Sequence, residues 1–350
     1  MNRIALFFSC WVMCISCIEN KDNTVVYNEP YYPIVKQSVI TPLNQNLIMR
    51  PTNMMQLFGK YIVLPARSID NDNVFQLLST DDGKHICGFA RLGRAKNELS
   101  DYLRYCIDHS SEILYSIDNS NKIVGFDLNA IINGNANHTI MAKQFDKSHP
   151  TSLQIQISND NIIQTSGTLN SRIFITNIEG DTLLKYDNIP HISNNAIFDN
   201  NFNNRFMAQY AHYTVKPDLQ KIANATNNGM LLEILSVSNK NIEKHNIRYF
   251  YEPQMESLRK AKDECIFGTT QIQSTDKYIY ILYYDSPMKT VENSTPIVGV
   301  FDWDGNEVAC YNLNNQVISF VVTPDDTRIY CWAYNSEGEG YLGFLDLNQL

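Results

Sequence analysis

A chain in which one hairpin-like unit recurs six times can stack or close its sheets in only a few ways, and this chain is of that kind. The unit is a polar turn, a short apolar strand, a second loop, and a strand ending in an acidic residue or Asn, often followed by Gly. The clearest copies are Asp276 to Gly305 (DKYIYILYYD…PIVGVFDWDG) and Pro324 to Leu347 (PDDTRIYCWAY…GYLGFLDL). The others run from Lys60 to Gly83, Ser111 to Leu128, Asn161 to Gly180 and Pro217 to Val237. β-Branched and aromatic residues dominate Lys277 to Tyr284, as half-buried strands packed on neighbouring sheets require. Pro324-Asp325-Asp326 and Asp304-Gly305-Asn306 are turn chemistry, because Pro presets φ and Gly or Asn tolerates positive φ.

The first strands of the copies are entered near Tyr61, Ile113, Ile162, Ile222, Ile279 and Ile329. The mean step is about 54 residues, longer than the ~40–45 of WD40 blades and nearer the ~50 of kelch-type blades. Segments between copies, such as Glu307 to Asn312 and Gln316 to Thr323, supply further strands. Four strands per step and six steps predict an all-β chain, a six-bladed β-propeller of four-stranded blades, which limits exposed edges by radial repetition. The last copy provides only three strands before the chain ends. Residues Ile34 to Met49 precede the first copy and are expected to supply the fourth, closing the last blade with an N-terminal strand. A helical elaboration is expected at Pro253 to Glu264.

The N-terminus predicts export. Arg3 gives a positive start, Ile4 to Ile15 is uncharged, and Ser16-Cys17 follows as a small residue and a cysteine. The stretch is too short to span a membrane, which takes ~18 or more apolar residues. It resembles the lipobox of lipoprotein signal peptidases, with Cys14 where that pattern has Leu. The expected organisation is a signal peptide over 1–16, a lipidated Cys17 with a flexible tether over 17–33, and a propeller over 34–350. An ordinary cleaved signal without lipid is the alternative. Glu19 and Asp22 beyond Cys17 resemble the acidic start of surface-exported lipoproteins. The expected location is an outer membrane, facing the periplasm or the cell surface.

The pairing of this N-terminus with STPIVGVFDWDGNEVACYNLNNQVISFVVTPDDTRIYCW and VFQLLSTDDGKHICGFARLGRAKNEL resembles the TolB-like six-bladed propeller lipoproteins of Bacteroides-type bacteria. Members of that family carry GxxGxGPxEF after the first blade; Gly88 to Leu99 keeps Gly93, Glu98 and a terminal apolar residue and lacks the Gly-Pro step. The resemblance implies fold and location more than activity.

Candidate chemistry is sparse. The net charge of −9 and the absence of a Lys/Arg run exclude the electrostatic footprint of a nucleic-acid binder. Five cysteines (Cys87, Cys106, Cys265, Cys310 and Cys331) follow the signal, an odd number with no CxxC pair, and read as small buried apolar residues. Seven histidines (His85, His109, His138, His149, His191, His212, His245) are scattered without ligand spacing. Asp70-Asn71-Asp72-Asn73 and Asp302-Trp303-Asp304-Gly305 are rich in oxygen ligands but lack the distal Glu of a calcium loop, so they read as turns. Ser286-Pro287-Met288-Lys289 fits S-x-x-K in spelling, without its companion motifs. Trp303 and Trp332 read as packing between blades rather than as a sugar platform. No catalytic residue, cofactor or metal is indicated. The expectation is therefore a membrane-anchored, non-catalytic binding or scaffold module for a protein, peptide or glycan. A glycan-directed lyase or hydrolase at the channel mouth is the alternative, and a purely structural partner in an envelope complex is a third reading.

Overall fold

The computed structural model describes residues 25–44, 49–51, 54–68, 73–101, 104–146, 154–158, 160–165, 171–190, 202–257 and 260–347. Cys17, the signal region, His149, His191 and Asp70 to Asp72 lie outside the described residues.

Six antiparallel sheets follow one another along the chain, each beginning with an inner strand and meandering outward. Blade one comprises Gln56–Phe58, Tyr61–Ser68, Asn73–Ser79 and His85–Arg91; blade two Tyr105–Asp108, Ile113–Ile117, Lys122–Asp127 and Thr139–Gln144. Blade three comprises Gln154–Ser158, Asn161–Thr165, Ile173–Asn177 and Thr182–Tyr186; blade four Ala211–Val215, Lys221–Thr226, Met230–Val237 and Ile242–Tyr251. Blade five comprises Thr269–Ser274, Tyr278–Tyr283, Ile297–Asp302 and Glu307–Leu313. Blade six comprises Gln316–Val322, Arg328–Tyr334 and Gly340–Asp346. Each inner strand contacts the inner strands on either side, blade six returning to blade one, so the ring is closed. The repeat read from sequence marks the second strand of every blade.

The core is divided among the seams. Six apolar clusters each join two successive blades, and together they go round the ring. Tyr280, Val300 and Tyr311 of blade five meet Phe320 and Cys331 of blade six, for example. Second and third strands are buried on both faces, which is why IYILY and IVGVF read as continuous apolar runs rather than as alternations.

Blade six is completed as expected, by the segment from the N-terminus. Thr41–Asn44 pairs antiparallel with Gly340–Asp346, with Thr41 opposite Phe344. A Cβ on Gly343 would lie 2.6 Å from the Ile40 side chain and 2.9 Å from the Thr41 carbonyl oxygen; no larger residue admits the closing strand at this distance. The N-terminal segment does more than close one blade. Residues 25–33, expected as free tether, run against blades four and five: Asn28 N–H donates to the Tyr249 carbonyl at 3.0 Å, and Tyr32 is buried with its hydroxyl 3.2 Å from that of Tyr283. Ile34–Ser38 then adds a parallel fifth strand outside Glu307–Leu313. Beyond the closing strand, Met49–Pro51 pairs with the C-terminal end of Tyr61–Ser68 in blade one. The arm thus crosses four successive blades.

The helix expected over Pro253 to Glu264 is not formed. Met255–Ser257 and Lys260–Ala261 pair as a small hairpin instead, because the segment is pinned at both ends. Lys262 N–H donates to Gln254 O, and Cys265 N–H to Lys262 O, while Met255 is buried. Two short helices, Leu128–Ile132 and Phe202–Ala208, sit in connections between strands.

Ile40 enters the seam between blades five and six at 3% exposure, whereas Val39 beside it is 69% exposed. Ile40→Ala is expected to cost about 2–5 kcal/mol through lost burial and the cavity left behind. Val39→Ser is expected to leave stability nearly unchanged. Urea unfolding of the two variants checks this, and equal midpoints would count against closure by the arm.

Candidate functional site

The innermost strand of each blade leaves one row of backbone groups facing the axis without a ladder partner, and such groups need hydrogen bonds when buried. Glutamines and hydroxyls supply them across the seams. Gln56 of blade one accepts from Ile107 N–H at 2.6 Å and donates to Tyr105 O at 3.1 Å in blade two. Gln271 of blade five does both with a single residue of blade six, accepting from Phe320 N–H at 2.9 Å and donating to Phe320 O at 2.7 Å. A primary amide carries one acceptor and a donor in one plane, so it substitutes for a neighbouring peptide group. Gln154 and Gln156 accept from Tyr213 and Val215 N–H across the seam between blades three and four, at 3.1 and 3.0 Å. Ser274 donates to Val215 O at 3.0 Å, and Met55 N–H donates to Ser319 Oγ at 2.8 Å. At the seam between blades two and three, the Cys106 sulfur meets the backbone N–H of Ile157.

One titratable group joins this wall. Because Tyr213 N–H takes the Gln154 oxygen, the Gln154 amide nitrogen is the atom 2.8 Å from His212 Nδ1. That nitrogen can only donate, so Nδ1 accepts and the neutral ring carries its proton on Nε2. Tyr210 packs edge-on to the imidazole at 5.5 Å. Burial disfavours the imidazolium and lowers His212 to about 4. At the opposite end of an inner strand, His109 is also pushed down by burial. The neighbouring Asp108 is held by Ser110 N–H at 3.0 Å and by the Ser110 and Ser111 hydroxyls at 2.7 Å each.

Behind the wall, the seam between blades three and four contains an ion pair, Arg172 with Glu233, of which Glu233 has no exposed surface. Tyr186 OH lies 3.5 Å and Asn224 Nδ2 3.4 Å from its carboxylate, and the guanidinium sits 5.3 Å over the Tyr186 ring. Burial raises the Glu233 carboxyl, and the arginine and its hydrogen bonds pull it back only part way. The pair holds two blades together and is sealed from solvent.

The residues singled out in the sequence do not converge. Asp302 accepts from Asp304 and Asn306 N–H, both at 2.9 Å, and Asp304 bonds Lys221 and His245, so the acidic stretch is a turn with its carboxylates engaged. Ser286 faces Thr290, and Lys289 reaches Glu264. Trp303 and Trp332 are buried in two different seams. The thiols of Cys106, Cys265, Cys310 and Cys331 are buried and that of Cys87 is half-buried, all unpaired; burial pushes Cys310 and Cys331 up to about 12. Among the described residues no three His, Cys, Asp or Glu side chains gather to hold a metal. The glutamines and the Arg172–Glu233 pair were missed in the sequence; the available signal was an amide at the start of an otherwise apolar strand.

The sequence pattern described as TolB-like 6-blade propeller-like matches residues 33–325. The chain belongs to the TolB-like six-bladed propeller family. Among solved structures, it is similar to a member of the DUF4221 family from Bacteroides vulgatus, with 11% identity, a TM-score of 0.55, and 89% of this chain and 96% of that one covered. It is also similar to the WD40 repeats of RRP9, with 11% identity, a TM-score of 0.52, and coverages of 89% and 99%. Identities so low show the fold alone. No curated protein matches the sequence.

In this TolB-like propeller, Gly93 and Glu98 of the segment after blade one touch each other. Glu98 accepts from Ala95 N–H at 2.9 Å, Gly93 N–H donates to Leu99 O at 2.9 Å, and a Cβ at Gly93 would fall 1.9 Å from the Glu98 carboxylate. The two residues therefore lock a loop.

A folded pKa of about 4 for His212 against an ordinary 6.5 means that the unfolded chain binds a proton before the native state does. The stabilisation is fully present above pH 6.5 and is lost as pH falls toward 4. His212→Gln should therefore lose less stability than the wild type between pH 7 and 4.5. The difference is at most about 3 kcal/mol, and less where water in the channel screens the ring. Urea unfolding at the two pH values measures it, and parallel losses would contradict the assignment.

Proposed function

We propose that the chain is an envelope lipoprotein, anchored through acylated Cys17 to an outer membrane, whose propeller is a non-catalytic binding or scaffold module for a protein or peptide. The propeller fold is consistent with a protein-binding scaffold. The observation that carries the reading is the asymmetry of its two mouths. Turns from first to second strands are short, as at 59–60, 216–220, 275–277 and 323–327, and of the third-to-fourth connections at the same end 128–138 is the longest, whereas the longer 92–104, 187–210, 252–268 and 284–296 connect strands at the opposite end.

Around blades four and five the described loops at that end are knitted into a shelf. Gly229 N–H donates to Ile266 O, Gly268 N–H to Asn227 O, Phe267 N–H to Ser286 O and Met288 N–H to Cys265 O, all at 2.8–2.9 Å. Phe267 and Tyr284 pack at 5.5 Å, and Tyr251 donates to Asp285 at 2.7 Å. Loops held by backbone bonds on a closed ring form a rigid surface, and little conformational entropy is lost when a partner docks on it. Gln56, Gln154, Gln156 and Gln271 of the inner wall are engaged in joining blades, which favours recognition at the shelf over chemistry in the channel.

Two measurements test the reading. Expressed with its signal in a lipoprotein-processing host, the wild type should incorporate labelled palmitate and Cys17→Ser should not; equal labelling would rule out Cys17 as the anchor. A photo-crosslinker replacing Phe267 should capture one envelope protein that a crosslinker replacing Lys240, at the other mouth, does not. Capture of the same species from both positions would remove the argument for a dedicated face.

A further inference from the structure

The arm that closes the ring has a second face that closure does not use. From Tyr31 to Ile40 burial alternates without a break: Tyr32, Ile34, Lys36, Ser38 and Ile40 turn inward, while Tyr31, Pro33, Val35, Gln37 and Val39 are exposed. Tyr31 is 81%, Val35 61% and Val39 69% exposed, and Val26, nearer the N-terminus, is 62% exposed. Side chains two residues apart share one face of an extended chain, so Tyr31, Pro33, Val35, Gln37 and Val39 form a single stripe about 26 Å long. It carries no charge and one amide. The outer strand of blade four shows what a water-facing rim of the same molecule looks like, since there the exposed residues are Glu243, Lys244 and His245.

We propose that this stripe lies in the interfacial layer of the bilayer that holds the chain, so that the rim of blade five faces the membrane. The inference rests on acylation of Cys17. Val26 is nine steps along the chain from Cys17, and an extended chain gains at most about 3.3–3.6 Å per residue, so Val26 stands within about 32 Å of the lipid-bearing residue. The arm is then fixed to the propeller by the Asn28 bond to Tyr249 and by buried Tyr32. A lipid at one end and the propeller at the other bring the stripe to the lipid surface. Tyrosine is enriched where apolar and aqueous phases meet, and valines without neighbouring charge gain from leaving water there.

The test uses the full chain carrying Tyr31→Trp, acylated in a lipoprotein-processing host and reconstituted in vesicles of phosphatidylethanolamine and phosphatidylglycerol. A fraction of the lipids is brominated near the glycerol end of the acyl chains. Trp303 and Trp332 are 6% and 0% exposed, and the wild type supplies their background. The emission added by the introduced indole is expected at shorter wavelength than in water and is quenched as the brominated fraction rises. Adding Val35→Asp and Val39→Asp, both at exposed positions, should reduce the quenching while palmitate labelling persists. Water-like, unquenched emission from a palmitate-labelled chain overturns the placement of the rim and leaves the anchor standing. An introduced indole that is shielded without lipid, in a species that sediments as a dimer, also overturns it, because a second copy then covers the stripe. Absence of palmitate from the wild type overturns the anchor and this inference together.

Discussion

Ring closure is the constraint on which the rest of this molecule depends. Each blade is too thin to bury its own faces, and the apolar clusters lie between blades rather than within them. Every seam therefore requires both neighbours, and an open ring would expose two faces at once. The seam between blades six and one, with Trp332, Met55 and Leu64 fully buried, forms only when the ends of the chain meet. Thr41–Asn44 makes that meeting covalent on one side and hydrogen-bonded on the other. It also covers the last edge of Gly340–Asp346, an edge that would otherwise offer unpaired backbone groups to other chains.

Closure creates a polar problem that the sequence solves with amides. Six inner strands present backbone groups toward an axis too narrow for further strands, and a buried N–H or C=O without a partner costs about 1–3 kcal/mol. Gln56, Gln154, Gln156 and Gln271 reach sideways and take the place of missing peptide groups. The same bonds fix the height of one blade relative to the next, because an amide satisfying both the N–H and C=O of Phe320 cannot slide by a residue. Amides that would otherwise be free for ligands are committed to the wall. The buried Arg172–Glu233 pair likewise joins blades three and four.

Much of the architecture is legible in the sequence. Tyr61, Ile113, Ile162, Ile222, Ile279 and Ile329 each begin, or nearly begin, the second strand of a blade, since that strand is buried on both faces and leaves the strongest apolar signal. The fourth strand of blade six was legible because the last copy is short by one strand. Inner and outer strands were harder to see: Thr269–Ser274 and Ile242–Tyr251 mix polar and apolar residues, one to bond its neighbour's backbone and the other to face water. Pro253 to Glu264 looked helical because its charges are spaced for a helix, but hydrogen bonds from Lys262 and Cys265 hold it in a hairpin. The site was barely legible at all. His212 acquires its character from Gln154, Tyr210 and Tyr213, and the partner in the next blade, Gln154, is separated by 58 residues of sequence.

Under the proposed anchoring, the N-terminal arm would tie location to folding. A chain held through its N-terminus by a flexible leader would place no demand on the fold, whereas here the described arm packs on the propeller from Tyr27 onward and is continuous with the strand that closes the ring. A pull on the N-terminus would first meet Tyr27 against Tyr249, the Asn28–Tyr249 bond, and Tyr32 against Phe301 and Tyr283, at blades four and five. Only then does it reach the parallel pairing of Ile34–Ser38 with Ala309–Leu313, whose ladder runs along the direction of the strand and resists sliding as a set. The closing strand Thr41–Asn44 lies behind both. On the proposed anchor, load on the N-terminus would meet these rim contacts before the contact whose loss would open the propeller, which gives a physical reason for an arm that crosses four blades when one strand would suffice to close the last.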